Sequence, residues 1–513
     1  MIIAGIGMGH LASVTLMQYG KIIYYNEERK LSRVKDIGGI PYRCLDQIKQ
    51  LGYKIDLAYS TSYNLEIIET NNLVNYLHFI KLYDKDLITL DQPHHVSHAI
   101  KAFIDSGFDE ARVFVVDGRG SYWPGVGNEV CSIYDISKKD LVCVFKQIYK
   151  YNWSNQRPGD ALGITKDTVF NVSDKVHLGE FYAKISEKFG YKKQEGKFMG
   201  YQSAGKIDYA LLESIPNSLT YEGIKKLPVT QDAARTYQAF FEREIKNLVI
   251  ENKKPNMVFT GGSFLNVISN YKLQRTFTDC KLYFEPLCGD EGNSIGIAYL
   301  AHLREKFPIE RLKNIYIGQT IKTKPELLRD ERLIDRSVEH IVHLLHNGHV
   351  VGLVQGKAEA GPRALGNRSL LLDPTLADAK DKMNEIKKRE KFRPFAVSVL
   401  QSKYNEYFEG LRESPTMMYA PKAKDLLKKL APSVVHVDDT CRVQTVNEKD
   451  NLILHELLKQ FKVPLLMNTS FNLAGFPIDE TFEDILFTFR NSKLNYIYFA
   501  DEQKLLIKND TSA

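Results

Sequence analysis

Short apolar runs separated by glycine open the chain. Ile2–Ile6 reads as a strand, the segment Gly5–Gly9 turns the backbone, and Val14–Gln18 and Lys21–Asn26 read as two further strands around Tyr19-Gly20. Arg43–Leu51 has helical periodicity with one apolar face. Leu57–Ser60 and Leu87–Leu90 predict short strands, and an apolar helical run follows Asp91-Gln-Pro-His-His-Val-Ser-His98-Ala as far as Phe103. Arg112–Val116 predicts a buried strand that ends in Asp117-Gly-Arg-Gly120. Asn256–Thr260 repeats the pattern, running into Gly261-Gly262-Ser-Phe-Leu-Asn266 and a helix, and Leu282–Phe284 leads to Gly289-Asp290-Glu-Gly292 and another helix. Strands and helices alternate to about residue 305, which predicts α/β architecture. Ile315–Asp335 is polar, Lys-rich and poor in core residues, and is expected to be a linker; a second unit begins near Ser337 with His349–Val354 as its first strand. No internal repeat of fixed period is visible.

Composition narrows this picture modestly. A chain of 513 residues with 43% hydrophobic and 26% charged residues is ordinary globular protein, long enough for several domains. The formal net charge of +6 permits a polyanionic partner without requiring one. Six cysteines lie far apart with no Cys-x-x-Cys pair, which excludes a four-cysteine zinc knuckle and predicts reduced thiols in a cytoplasmic protein. The apolar start lacks a basic n-region, the polar tail has no lipidation signal, and no run of about 18 apolar residues predicts a membrane span.

Candidate chemistry gathers at the strand ends. His94 and His98 are spaced so that a helix places both imidazoles on one face, as a metal requires. Asp117 ends a strand at a loop, and Asp290 lies between glycines at another loop-to-helix junction. Two neutral imidazoles and two carboxylates form an N/O set suited to iron or zinc. The competing reading is a histidine pair that caps a helix or fills a core. The glycine turns at Gly5–Gly9, Gly118–Gly120 and Gly261–Gly262 each follow a strand, which favours a phosphate or nucleotide ligand. No Walker lysine motif is present.

The C-terminal half is denser in cations. Gly356-Lys-Ala-Glu-Ala-Gly-Pro-Arg363-Ala-Leu-Gly366-Asn-Arg368-Ser369 places three cations and a hydroxyl among glycines, and Lys387-Lys-Arg389-Glu-Lys-Phe-Arg393-Pro-Phe395 adds five more cations. Such a set neutralises a triphosphate well; a basic surface helix ending at Pro394 is the plainer alternative. His436-Val-Asp-Asp-Thr440-Cys-Arg442 and Met467-Asn468-Thr-Ser470-Phe-Asn472 add polar groups beside apolar strands, where they need partners.

These motifs, taken in order, resemble the O-carbamoyltransferases typified by nodulation, cephalosporin and tobramycin carbamoyltransferases. The resemblance rests on Glu27-Glu-Arg-Lys-Leu-Ser-Arg33-Val-Lys35, His94-His95-x-x-His98-Ala, Glu195-Gly-Lys197-Phe-Met-Gly200, Gly261-Gly-Ser-Phe-Leu-Asn266, Gly289-Asp290-x-Gly292, Gly361-Pro-Arg-Ala-Leu-Gly-Asn-Arg-Ser369, Arg393-Pro-Phe-Ala396 and Asn468-Thr-Ser-Phe-Asn472. It implies an actin-like (ASKHA-type) α/β domain over residues 1–314, the linker 315–335, and a YrdC-like α/β domain over 336–513. In such enzymes the second domain joins carbamoyl phosphate to ATP, giving carbamoyl adenylate and pyrophosphate. The first transfers the carbamoyl group to a hydroxyl at a metal site. A reactive mixed anhydride implies two sites that face each other away from water.

The resemblance implies a divalent metal (iron, zinc or manganese) at His94, His98, Asp117 and Asp290, with magnesium accompanying ATP. His95, Lys35 and Arg33 take catalytic roles, His95 as acceptor of the hydroxyl proton. Arg363, Arg368, Ser369, Lys387, Arg389, Arg393, His436, Arg442, Asn468, Ser470 and Asn472, with Gly261, Gly262, Asn266 and Lys197, are expected to bind ATP and carbamoyl phosphate. One departure is visible: Leu11 stands where the resemblance expects an acidic residue after His10.

The acceptor is expected to be either the hydroxymethyl group of a modified pyrimidine in DNA, such as 5-hydroxymethylcytosine, or a sugar hydroxyl on an antibiotic or nodulation factor. The aromatic and cationic segment Tyr149–Arg157 motivates the DNA version, because such a run can stack bases and neutralise a backbone; an ordinary surface loop is its plainer reading. A tRNA threonylcarbamoyl-type enzyme and a nucleotide-binding regulatory module without turnover are the other classes the sequence admits.

Overall fold

The computed structural model describes residues 1–508 apart from 62–65, 86, 91–92, 124–125, 151–161 and 411–412. The chain divides into two compact units, Met1–Ser32 with Asp36–Lys313, and Arg33–Lys35 with Asn314–Ala513.

The first unit contains two sheets. In the first, the strand order is Lys21–Glu27, Ser13–Gln18, Ile2–Gly7, Leu57–Thr61, Ile88–Leu90. The first three strands run antiparallel and the last two continue parallel. The second sheet repeats this arrangement with Leu141–Lys150, Gly127–Ser137, Glu110–Val116, Asn256–Thr260 and Lys281–Phe284. Val169–Ser173 adds a further parallel edge. The fold is therefore duplicated α/β, the actin-like arrangement that the family resemblance implies. The duplication leaves no sequence period because it repeats strand order and direction rather than residues.

Two helices place the chemistry. His94–Ser106 connects the last strand of the first sheet to the first strand of the second, and Asn293–Arg304 follows the Asp290 turn. They pack unusually closely. A Cβ on Gly296 would lie 2.2 Å from the Ser97 carbonyl oxygen, and one on Gly5 would lie 2.2 Å from that of Ser294. Glycine at both positions lets the second helix press against the first and against the central strand Ile2–Gly7. The contact is closed by Ser13 Oγ, which hydrogen-bonds to Ser294 Oγ at 2.8 Å.

The second unit is built on an eight-stranded mixed sheet with Val351–Val354, Arg368–Leu372, Leu465–Ser470 and Ala396–Leu400 inside it. Its inner strands are apolar on both sides because both faces are covered. Leu370, Leu372, Leu465, Met467, Ile497 and Phe499 enter one core, while Leu371, Leu466, Tyr496 and Tyr498 enter the other.

The segment expected to be a linker is structured. Tyr316–Thr320 pairs with Lys357–Glu359, and Arg332–Asp335 forms an edge strand on Lys504–Ile507. Both belong to the second unit, whose long segment starts at Asn314. Both strands are short, and Lys322 and Lys324 lie in the connection between them, so the segment's composition looks like that of a linker. All six cysteines are free, and no described helix is long and apolar enough to cross a membrane.

Candidate active site

Four side chains converge in the first unit. One ligand atom from each of His94, His98, Asp117 and Asp290 lies within 4.8 Å of the others. His94 Nε2 is 3.0 Å from Asp117 Oδ2 and 3.3 Å from Asp290 Oδ1. His98 Nε2 is 3.4 Å from Asp290 Oδ1 and 4.0 Å from Asp117 Oδ2. Helical spacing supplies the two imidazoles, and the ends of two separate elements supply the carboxylates. Asp117 is oriented by backbone: its Oδ1 accepts the N–H of Gly118 at 2.8 Å and of Gly262 at 3.2 Å, leaving Oδ2 for the imidazoles.

The arrangement suits a cation. Burial acts to raise both carboxyls, yet the facing imidazoles hold Asp117 and Asp290 below the usual carboxylate range. His98 Nε2 is buried without a hydrogen-bond partner. Two anionic oxygens converging on two imidazole nitrogens, one of them orphaned, are what a divalent metal would satisfy.

His10 also borders the cluster. Its Nδ1 stands 3.6 Å from Asp290 Oδ2, and the side chain is about half exposed, at 49%. The Asp290 contact raises its pKa. It lies in the turn where Leu11 adopts a φ of +51°, held by reciprocal backbone bonds between Gly9 and Gly39. His95, by contrast, is fully buried, and burial pushes its imidazole down to about 3. Its Nδ1 lies 2.8 Å from Ser132 Oγ. Asn266 is engaged as a helix cap, accepting the Ser269 N–H and pairing with Gln238. Lys197 stands partly exposed on the helix Glu195–Tyr201.

In the second unit the cations separate into two kinds. Arg368 is fully buried and donates to the carbonyls of Gln319, Gln355, Gly356 and Asn367. Ser369 Oγ accepts the Gly366 N–H. Lys387 Nζ is enclosed by Ser470 and Asn472, reaching Asn472 O and Oδ1 each at 2.6 Å. Asn468 donates to Ser398 and Gln444. Lys387 and Asn468 thus hold the strand Leu465–Ser470 and the turn that follows it, while Arg368 and Ser369 hold the backbone around residues 355–367.

The other cations repel one another. Burial, and then the charges of Arg363, Arg389 and Arg393, hold the Arg442 guanidinium well below its usual value. Arg389, stacked 3.7 Å over the Phe395 ring, is pushed down to about 9 by burial and by Arg393. Burial, Arg442 and Lys380 outweigh Asp438 and bring His436 to about 4. Lys35 adds to the positive field at Lys387. Arg33 has a different setting: it bonds Asp479 Oδ1 at 2.6 Å, lies 3.2 Å from Asp484 Oδ1, and stacks on Phe476. A partly exposed group of mutually repelling arginines is built for an anion.

Family comparison now decides the identity. The carbamoyltransferase N-terminus family matches residues 43–227, and the carbamoyltransferase C-terminus family matches residues 342–505. Nodulation protein NolO of Bradyrhizobium diazoefficiens is 30% identical over 437 residues, 78% of this chain and 76% of its own. The chain belongs to the carbamoyltransferase family. Nodulation protein NolNO of Sinorhizobium fredii is a similar relative of this carbamoyltransferase, 29% identical over 95% of this chain and 77% of its own. Among solved structures, full-length HypF in its phosphate- and nucleotide-bound form aligns with a TM-score of 0.38 and 13% identity, over 59% of this chain and 46% of that one.

Three residues in or beside the candidate site of this carbamoyltransferase gave no signal in the sequence. His10 sits outside any helical pairing, so spacing gave no signal for it. Ser121 and Glu129 touch the first turn of the helix His94–Ser106, through contacts with no local sequence signature. Of the segment Tyr149–Arg157, residues 151–157 lie outside the described residues.

Proposed function

We propose that this carbamoyltransferase works in two stages, carrying a carbamoyl group from carbamoyl phosphate through carbamoyl adenylate to an acceptor hydroxyl. The reading is carried by the convergence of His94, His98, Asp117 and Asp290 in a chain of this family. In the second unit, which we read as YrdC-like, Arg363, Arg389, Arg393 and Arg442, with Lys35, would neutralise ATP and carbamoyl phosphate. The balance there is carbamoyl phosphate, ATP and water giving carbamoyl adenylate, phosphate and pyrophosphate.

In the first unit the acceptor oxygen attacks the carbamoyl carbon, AMP leaves, and the hydroxyl proton passes to a base. A divalent iron, zinc or manganese ion held by His94, His98, Asp117 and Asp290 would polarise the acyl centre and hold phosphate oxygens. His10 is the imidazole that solvent reaches beside this cluster, and it suits the proton better than the sealed His95. The nodulation relatives favour a small-molecule hydroxyl, such as one on a sugar, over a hydroxymethylpyrimidine in DNA.

The test incubates the protein with ATP, carbamoyl phosphate and a panel of sugars, nucleosides and hydroxymethylcytosine DNA. The expected result is pyrophosphate release and gain of one carbamoyl group on a sugar. Modification of the DNA alone would reverse the acceptor assignment. His98→Ala should abolish transfer and leave pyrophosphate release intact; if both survive, the metal assignment is wrong.

A further inference from the structure

Glu129 lies in the strand Gly127–Ser137, whose pairing register with Leu141–Lys150 is interrupted between Glu129 and Cys131. In an unbroken strand, residue 130 would share a face with Ser132 and Tyr134. The bulge moves Glu129 onto that face instead, as bulges beside functional sites often do. There Lys146 Nζ meets the Glu129 carboxylate and also reaches Ser132 Oγ at 3.0 Å and Tyr134 OH at 3.4 Å.

The carboxylate then bridges two parts of the site. Its Oε1 accepts the N–H of His95 at 3.1 Å, in the first turn of the ligand helix, and the N–H of Ser121 at 3.1 Å, at the end of the Asp117 loop. Ser121 Oγ in turn accepts the N–H of His94 at 3.2 Å. The same strand holds the loop by backbone: Asp117 N–H donates to Val130 O and Gly120 N–H to Glu129 O. Both Glu129 and Lys146 are fully buried. An ion pair taken wholly out of water is costly unless its geometry is satisfied; here Lys146 is satisfied within the sheet by Ser132 and Tyr134, and Glu129 Oε1 is satisfied by the helix His94–Ser106 and its neighbouring loop.

We infer that Glu129 is a positioning residue for the metal centre, a clamp that sets the distance between the His94–His98 helix and the Asp117 loop, backed by Lys146 as its counter-ion. Its carboxylate bonds go to His95, Ser121 and Lys146 and not to the four side chains of the His/Asp cluster. The inference rests on the metal reading given above and extends it to a residue outside the ligand set. Outer partners of this kind typically change metal affinity by about 10–100-fold.

The experiment measures Fe(II) and Zn(II) affinity of the full-length protein by competition with a chromogenic chelator, alongside its melting temperature without metal. Glu129→Ala should raise the metal dissociation constant by about 10–100-fold. Glu129→Gln keeps an acceptor oxygen for the two N–H groups and should fall between Ala and wild type. Val249→Ala, in the buried face of the helix Gln231–Glu251, should lower the melting temperature and leave metal affinity unchanged. If Glu129→Ala does not fold, Glu129→Gln carries the test, and wild-type affinity in it overturns the clamp. Unchanged affinity in Glu129→Ala overturns it too, as does an equal loss in Val249→Ala, which would reduce the effect to stability. Wild-type protein that binds neither metal overturns the metal reading and the clamp together.

Discussion

Replacing Gly296 by alanine tests how the site is assembled. In an open helix interior, glycine to alanine stabilises by about 0.8–1 kcal/mol. Here the new methyl would sit 2.2 Å from the Ser97 carbonyl oxygen and within 2.9 Å of Ser97 Cα. The obstacle is backbone rather than a flexible side-chain tip, so the two helices must separate by about 1 Å to restore ordinary contact. Overpacking of this sort costs about 1–3 kcal/mol. Set against the propensity gain, a net loss of up to about 2 kcal/mol remains, or up to roughly 3 °C in melting temperature for a unit of this size. The displaced residue neighbours His98, and the helix that moves begins next to the Asp290 turn. Ligand distances in metal sites hold within about 0.2 Å, so Fe(II) or Zn(II) affinity should fall by at least about 10-fold. Melting with and without metal, combined with chelator competition, reads both effects. A melting temperature that rises, with metal affinity unchanged, would refute the close-packing argument.

Arg442→Met relieves repulsion among the partly exposed arginines, so the ligand-free protein should melt higher while ATP affinity drops by about 10-fold or more, by calorimetry. A lower melting temperature with unchanged ATP affinity would remove Arg442 from the anion site. Arg368→Lys cannot span the four carbonyls held by the guanidinium and should cost about 2–4 kcal/mol in urea unfolding. Unchanged stability with lost ATP binding would instead make Arg368 a ligand. Burial pushes His177 down to about 4 from its ordinary 6.5. Its folded pKa is depressed, so its contribution is complete above pH 6.5 and is lost as pH falls toward 4, about 3 kcal/mol in all. His177→Gln should flatten the stability profile over that interval, and an unchanged acid limb in denaturant titrations would refute the assignment.

Much of the fold was legible locally. The opening strands, the strand Asn256–Thr260 and the helix after Arg43 follow from periodicity and glycine punctuation, because each needs only its own residues to declare a buried face. The pair His94 and His98 was legible for the same reason, since helical spacing alone aligns them. Segment 315–335 was not, because an edge strand is recognised by the strand it joins, and its partners lie in Lys357–Glu359 and Lys504–Ile507.

The cations of the second unit show the same division. The cationic motifs and the family resemblance together marked Arg363, Arg368, Lys387, Arg389, Arg393 and Arg442 alike as anion ligands. Tertiary structure separated Arg368 and Lys387, bound to protein carbonyls, from the arginines that face one another. By itself, then, the sequence determined the α/β class, the family motifs and the residue types of the His/Asp cluster. Only the tertiary structure decided that Asp290 meets His94 and His98 across a glycine-thin helix contact, that His10 is open while His95 is sealed, and that a bulge turns Glu129 onto the ligand helix. Periodicity reports which face of an element is buried; which distant element covers that face depends on packing between residues far apart in the chain.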